Sequence, residues 1–240
     1  DAHWEERVMN SADAIVVVGP GMKRSFVDRY GAAVGEKIEV ITNGYDAADL
    51  STVKGITPAT DRFRITYVGT MAGSYEPRAF FDAVADCGPP GKLPIELRFV
   101  GSVSADIKRM AEEAGVGQLC TWIPNVAHDQ ALKEMAAANM LLLVIPIGAG
   151  AERILTGKLF EYLGVGRPII GLGPVNGDAA AIINECDAGR MFERSMQKEM
   201  NAWIMSRSAA EPTPDPARTA APLVQYERRH QAGQLATLLH

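Results

Sequence analysis

The sequence predicts an α/β fold: a doubly wound, Rossmann-like parallel sheet with helices on both faces. Short runs of β-branched and apolar residues alternate with segments of helical period along most of the chain, the pattern of βα units. Right-handed crossovers then wrap the helices onto both faces. The length of 240 residues suffices to bury roughly 70–75% of the unfolded surface, so no disulfide or metal is needed to stabilise the core.

In order, residues 14–18 read as a buried strand, and Gly19-Pro20-Gly21 turns the chain into a helix over 22–30. A strand over 37–42 precedes a linker over 51–61 that mixes Thr, Gly, Pro and Asp. The βα unit then repeats: strands over 64–68, 95–100, 120–123, 140–145 and 168–172, each followed by a helix, over 78–86, 105–114, 129–138, 158–165 and 178–185. A second linker over 208–216 holds three prolines. It leads to a helical stretch over 217–239, with Leu223, Leu235, Leu238 and Leu239 available to dock on another part of the molecule, expected to be a lobe outside this sequence.

Composition excludes several classes. Net charge is −5, so no basic face marks nucleic-acid or anionic-lipid binding. No apolar run approaches the ~20 residues of a membrane span. The three cysteines, Cys87, Cys120 and Cys186, lie far apart and read as reduced core residues of a cytoplasmic protein. The four histidines are scattered and no Asp-x-Asp pair is present, so metal-independent chemistry is expected. The start, Asp-Ala-His-Trp, reads as a cut point rather than a natural beginning.

Two glycine-rich turns resemble dinucleotide fingerprints and fail the test. In Gly19-Pro20-Gly21-Met22-Lys23-Arg24 the third glycine position is Arg24, where helix–strand approach requires a small residue. In Gly171-Leu172-Gly173-Pro174-Val175-Asn176 it is Asn176, and no suitably placed acidic residue follows. A dehydrogenase is disfavoured.

The chemistry-bearing segment comes after the strand over 140–145. A Gly- and Ala-rich loop over 146–155 leads into a helix beginning near Thr156, the arrangement that points free N–H groups and the positive helix end at an anion. Lys158 opposes the helix dipole in the first turn, a placement that a bound diphosphate explains; for a lysine taken in isolation, a stem that reaches to solvent is the favoured reading. Thr156 either caps the helix or turns its hydroxyl to a phosphate. Glu161, one turn further, is placed either to pair with Lys158 or to accept both hydroxyls of a ribose.

Lys158-Leu159-Phe160-Glu161-Tyr162-Leu163, with Gly166-Arg167-Pro168-Ile169-Ile170, resembles the nucleotide-binding signature of retaining GT-B glycosyltransferases of the group 1 type. Asp13-Ala14-Ile15-Val16-Val17-Val18, Val40-Ile41-Thr42-Asn43-Gly44-Tyr45-Asp46, Ile65-Thr66-Tyr67-Val68-Gly69-Thr70, Phe99-Val100-Gly101 and Ala138-Asn139-Met140-Leu141-Leu142-Leu143 fall in the family's order. The resemblance covers roughly 10–205, and Val224-Gln225-Tyr226-Glu227-Arg228 looks like the family's returning tail.

The resemblance implies that 1–55 ends an acceptor lobe and includes the inter-lobe junction, that 56–207 is the nucleotide-sugar-binding domain, and that 208–240 is a Pro-rich link and C-terminal helix. It implies transfer of a sugar from a UDP- or GDP-sugar to the hydroxyl of a carbohydrate or lipid-linked acceptor, with retained configuration, no further cofactor and no metal; this fragment alone is expected to be inactive. The implied setting is cytoplasmic, with any membrane contact made through the N-terminal lobe. Glu161 corresponds to the family's ribose-binding glutamate, Gly69-Thr70 to the loop that approaches the diphosphate, and Pro124-Asn125-Val126 to the backbone that meets the base; Thr156, Gly157, Lys158 and Leu159 form the phosphate-facing helix start. The family's second glutamate, near the donor sugar, is Arg153 here, with Glu152 one place off. Its basic residue after the first-strand glycine is Thr70 and its following lysine is Tyr75, which leaves Arg78 either as the candidate counter-charge or, equally, as a helix-surface residue. A sugar-nucleotide epimerase of the same fold and a non-catalytic nucleotide-binding module are the alternative readings.

Overall fold

The computed structural model describes residues 2–87, 94–209 and 223–239. The chain opens with α1 (Ala2–Ser11), β1 (Ile15–Val17), α2 (Pro20–Tyr30), α3 (Ala32–Glu36), β2 (Ile38–Val40) and α4 (Ala47–Ser51). β1 and β2 form a parallel pair, Ile15 opposite Ile38, over a small core of Met9, Val17, Val34 and Ile38.

The main sheet follows: β3 (Phe63–Val68), α5 (Arg78–Ala85), β4 (Ile95–Val100), α6 (Ala105–Glu113), β5 (Cys120–Ile123), α7 (His128–Ala136), β6 (Met140–Val144), α8 (Gly157–Val165), β7 (Ile169–Leu172), α9 (Asp178–Glu185), β8 (Gly189–Phe192) and α10 (Gln197–Ala209). Its six strands are all parallel, in the order β5-β4-β3-β6-β7-β8. Both faces are covered, as a parallel sheet requires. Met140, Leu142 and Val144 face a core shared with Phe80 and Phe81 of α5 and Met200 and Ile204 of α10. Leu141 and Leu143 face the opposite core, with Leu159, Phe160 and Leu163 of α8 and Ile183 of α9. Two-sided burial is why β6 is an unbroken apolar run. Full burial of a side chain such as Phe160 contributes roughly 1.5–3 kcal/mol.

The predicted strands and helices are present with ends shifted by a few residues, and α2 starts at Pro20 rather than at 22 because proline is favoured in the first helical turn. Five elements were not predicted: α1, α3, α4, β8 and α10. β8, Gly-Arg-Met-Phe, is too short and mixed to show a period, and α10 buries only Met200 and Ile204, a single i,i+4 contact line. α4 ends where the linker over 51–61 was expected to begin, capped by Asp46 through a 2.9 Å bond from the Ala48 N–H.

Most of the second linker, and the start of the C-terminal stretch, lie outside the described residues. The segment from Leu223 to Gln231 packs within this molecule. The Tyr45 N–H donates to the Tyr226 carbonyl (2.9 Å), the Arg228 N–H to the Tyr45 carbonyl (2.9 Å), and Gln231, in α11 (Arg228–Leu238), donates to Thr42 and to the Asn43 carbonyl. Leu223 joins the core beneath α8, whereas Leu235 and Leu239 are exposed. No helix among the described residues is long and apolar enough to cross a membrane.

Candidate functional site

Winding reverses between β3 and β6, the two central strands, so the loops leaving their C-terminal ends diverge and open a crevice, the general ligand position of open α/β sheets. Residues 69–77 border it on one side and 145–156 on the other.

The first loop is locked to its neighbours. Gly69, at φ 121°, donates its N–H to the Val100 carbonyl (2.8 Å), and a Cβ at Gly101 would stand 2.3 Å from the Gly69 carbonyl oxygen, so the backbones meet too closely for any other residue at 101. The Tyr67 hydroxyl donates to the Thr70 carbonyl at 2.7 Å. The Ile147 N–H donates to the Ser74 carbonyl (2.7 Å), and Arg194 donates to the carbonyls of Tyr75 (2.8 Å), Ile145 (3.0 Å) and Glu76 (3.3 Å). One guanidinium thus ties both loops together.

The second loop delivers the start of α8. Thr156 is the N-cap residue, yet its hydroxyl makes no capping bond, is buried, and has no partner among the described residues. No acidic residue occupies the first turn, which leaves the positive helix end uncompensated. Gly157 is exposed, while Leu159 is fully buried and gives its N–H to the Thr156 carbonyl (3.1 Å). Lys158 donates from Nζ to the Tyr67 hydroxyl (2.9 Å), with the Tyr67 and Tyr75 ring centres 4.5 and 5.6 Å away. A Cβ at Gly69 would lie 3.3 Å from that same Nζ. No carboxylate comes within ion-pair distance of Lys158 among the described residues. Burial therefore dominates and pushes its ammonium down to about 8, opposed only by the more distant charge of Glu161. Burial likewise raises the hydroxyls of Tyr67 and of Tyr162, which accepts from the Val68 N–H at 3.0 Å. Both stay neutral and serve as fixed struts.

Glu161 lies further along α8, its side chain 26% exposed, with Oε1 3.9 Å from His128 Nδ1; His128 Nε2 is 3.3 Å from Asp49 Oδ2. His128 opens α7 directly behind the loop of Pro124, Asn125 and Val126, so that loop and Glu161 share one flank of the crevice. Pro124 and Asn125 are exposed and Val126 packs on the core below. Arg78 is engaged elsewhere: it pairs with Asp82 (2.8 Å) and Glu113 (3.5 Å) on the outer flank of α5, where Asp82 raises its already high pKa. Lys158 is the cation beside Gly69.

Glu152 and Arg153 form a short turn that faces α2. Arg153 donates to the Ser25 hydroxyl and lies 3.4 Å from Glu152, and the buried Asp178 accepts from the Gly21 N–H (2.7 Å) and from Arg24 (3.1 Å). Sequence reasoning missed Tyr67, Tyr162, Arg194, His128 and Asp178. The two tyrosines read as core positions, and nothing local marks the long-range partners of the other three.

No family model and no curated protein matches this chain. Solved structures do. The lipopolysaccharide outer core galactosyltransferase WaaB matches with TM-score 0.69 and 16% identity over 95% of this chain and 62% of its own. Anabaena HepE in complex with UDP matches with TM-score 0.73 and 14% identity over 97% and 65%, and a glycosyltransferase from Rickettsia africae with TM-score 0.73 and 13% identity over 97% and 65%. This chain is therefore similar in fold to GT-B glycosyltransferase lobes and spans 62–65% of the length of these proteins.

Proposed function

We propose that this chain is the donor-binding portion of a retaining GT-B glycosyltransferase of the group 1 type, taking a sugar from a UDP- or GDP-sugar and transferring it to an acceptor hydroxyl. The carrying observation is the half-buried Lys158 ammonium, which has no acidic partner among the described residues and stands at the positive N-terminal end of α8, beside the buried and unpartnered Thr156 hydroxyl. A buried cation without a counter-charge is costly, and a diphosphate at this point satisfies all three groups.

In this reading the loop at Gly69 and Thr70 lets the diphosphate approach the backbone, Glu161 accepts from the ribose hydroxyls, and Pro124–Val126 line the base. As the glycosidic bond to the diphosphate breaks, negative charge grows on the leaving group; Lys158 and the α8 N-terminus stabilise it by preorganised electrostatics, with no metal invoked. That UDP accompanies the HepE structure favours uridine as the base to test first. The complete protein is read as cytoplasmic.

Calorimetric titration with UDP, GDP, ADP and dTDP, with and without EDTA, on wild type and Glu161→Ala tests the proposal. Binding of one nucleotide at micromolar level, unaffected by EDTA and weakened by the substitution, is the expected result; failure of all four to bind would overturn it.

A further inference from the structure

His128 stands between two carboxylates on one flank of the crevice. Its Nε2 is 3.3 Å from Asp49 Oδ2 in α4, and its Nδ1 is 3.9 Å from Glu161 Oε1 in α8. All three side chains reach solvent: His128 is 54% exposed, Asp49 45% and Glu161 26%. The other charges on the surrounding elements are engaged. On α7 itself Asp129 pairs with Lys133 (3.2 Å) and Glu134 with Arg98 (2.6 Å). Asp46 caps α4 through the Ala48 N–H, Lys158 of α8 donates to Tyr67, and the loop 123–127 holds no titratable residue.

The two contacts of the ring differ in kind. A neutral imidazole has one N–H and one lone pair. With the N–H given to Asp49, the lone pair of Nδ1 faces the Glu161 carboxylate, acceptor against acceptor; the protonated ring presents an N–H to each carboxylate. Two flanking carboxylates favour that charged form, against a single opposing helix end at the start of α7. The gap of 3.9 Å is too long for a direct hydrogen bond, yet an oxygen seated beside it can lie within about 2.7–3.2 Å of both atoms. A hydroxyl fits this place, because it accepts from an N–H and donates to a carboxylate at once. A carboxylate alone leaves the acceptor capacity of that hydroxyl unused.

We infer that the His128 imidazolium completes the ribose contact: held by Asp49, it donates from Nδ1 to a ribose hydroxyl that Glu161 accepts, so that nucleotide binding is linked to protonation of His128. Chain order supports the placement. His128 comes two residues after Val126 of the loop proposed for the base, and Glu161 comes three residues after Lys158, proposed for the diphosphate, so the His128–Glu161 pair joins the two. A bound anion adds to the same preference, since it attracts a charged imidazole more than a neutral one. The inference rests on the donor-site reading.

The test is NMR titration of the His128 ring protons in the full chain from about pH 5.5 to about pH 8.5, the interval in which imidazoles change charge, with and without UDP or GDP. Nucleotide affinities are measured over the same range for wild type, His128→Phe and Asp49→Asn. His128 is exposed, so His128→Phe should melt with wild type. With nucleotide bound, His128 should titrate at higher pH, the reciprocal of tighter binding to its protonated form. The terminal phosphate of the nucleotide titrates in the same interval with the opposite effect, so the quantity to read is the difference between wild type and His128→Phe. Wild type should gain about tenfold over His128→Phe as the pH falls, the worth of one hydrogen bond to a charged group, and the 2′-deoxy or the 3′-deoxy nucleotide should lose that gain. In Asp49→Asn the ring should titrate at lower pH. A His128 titration that nucleotide leaves unchanged or moves down, a pH profile that His128→Phe does not alter, a gain kept by both deoxy nucleotides, or an unchanged titration in Asp49→Asn would each overturn the inference and leave the donor reading in place. Failure of both nucleotides to bind wild type at any pH would overturn both.

Discussion

Lys158, in the first turn of α8, donates to the hydroxyl of Tyr67 in β3 at 2.9 Å, and the phenol is itself held by the Thr70 carbonyl at 2.7 Å. The ammonium is oriented by a neutral group and, among the described residues, has no carboxylate within ion-pair distance, only the more distant charge of Glu161. Two consequences differ in sign. Lys158→Met keeps the length and removes the charge, so it should raise the melting temperature of the ligand-free protein at pH 7 while weakening UDP binding by tenfold or more, about 1.4 kcal/mol. A fall in both quantities would mean that the ammonium is already satisfied within the fold.

The same group sets a pH dependence. Its pKa falls from the ordinary lysine value of 10.5 to about 8 in the folded chain, so the unfolded chain holds the proton more tightly. Below about pH 8 both states are charged and the fold carries the full burial cost; from about 8 to 10.5 stability rises with pH. A bound diphosphate raises the pKa again. UDP binding at pH 8.5 to 9 should therefore take up a proton and weaken as pH rises, which calorimetry in buffers of different ionisation enthalpy measures directly; Lys158→Met should abolish the uptake.

Glu161 supplies the test of the ribose assignment. If its carboxylate receives both ribose hydroxyls, UDP should bind more tightly than 2′-deoxy-UDP, and Glu161→Ala should erase that preference while costing about 1.5–3 kcal/mol with UDP. Equal loss for both nucleotides would place Glu161 outside the ribose contact, as a partner of His128 at 3.9 Å alone.

The sheet and most of its helices were legible because β6 and its neighbours are buried on both faces and write that burial as continuous apolar runs. The helix start at Thr156 and Lys158 was legible for a related reason: a cation in a first turn conflicts with the helix dipole, and such conflicts mark places where something other than folding shapes the sequence. What was illegible depends on long-range pairing. Arg153 looked like a charge reversal beside the donor, and only the fold brings it to Ser25, 128 residues away. Arg78 looked available as a counter-charge until Asp82 and Glu113 claimed it. Gly19-Pro20-Gly21 reads as a simple turn, and its actual constraint comes from Asp178, 157 residues from Gly21.

That constraint is measurable. A Cβ at Gly21 would stand 2.7 Å from both Asp178 Oδ2 and Arg153 Cγ, so Gly21→Ala should push α2 away from α9 and the turn at Arg153. Asp178→Ala removes the acceptor of a buried N–H, a cost of about 1–3 kcal/mol. Both should lower the melting temperature and speed hydrogen exchange at 21–25 while leaving the amides of β3 and β6 protected; uniform loss of protection across the main sheet would show that the α2 contact is part of one cooperative unit.

Arg194 joins the two loops of the crevice through the carbonyls of Tyr75 and Ile145, and no hydroxyl or carboxylate of the proposed donor contacts needs it. It acts by position. Arg194→Met retains the stem and its volume but strands carbonyls that the guanidinium now satisfies, so stability should fall by about 1–3 kcal/mol. Tyr75, whose ring centre is 5.6 Å from Lys158 Nζ, should lose its fixed place, and UDP should bind more weakly through a faster off-rate with little change in on-rate. Added guanidinium ion should restore part of the affinity to Arg194→Met and none to Lys158→Met. Equal rescue of both, or rescue of neither with stability unchanged, would show that the 73–76 turn is held by its other contact, the Ile147 N–H to the Ser74 carbonyl, and that Arg194 contributes nothing to the order of the site.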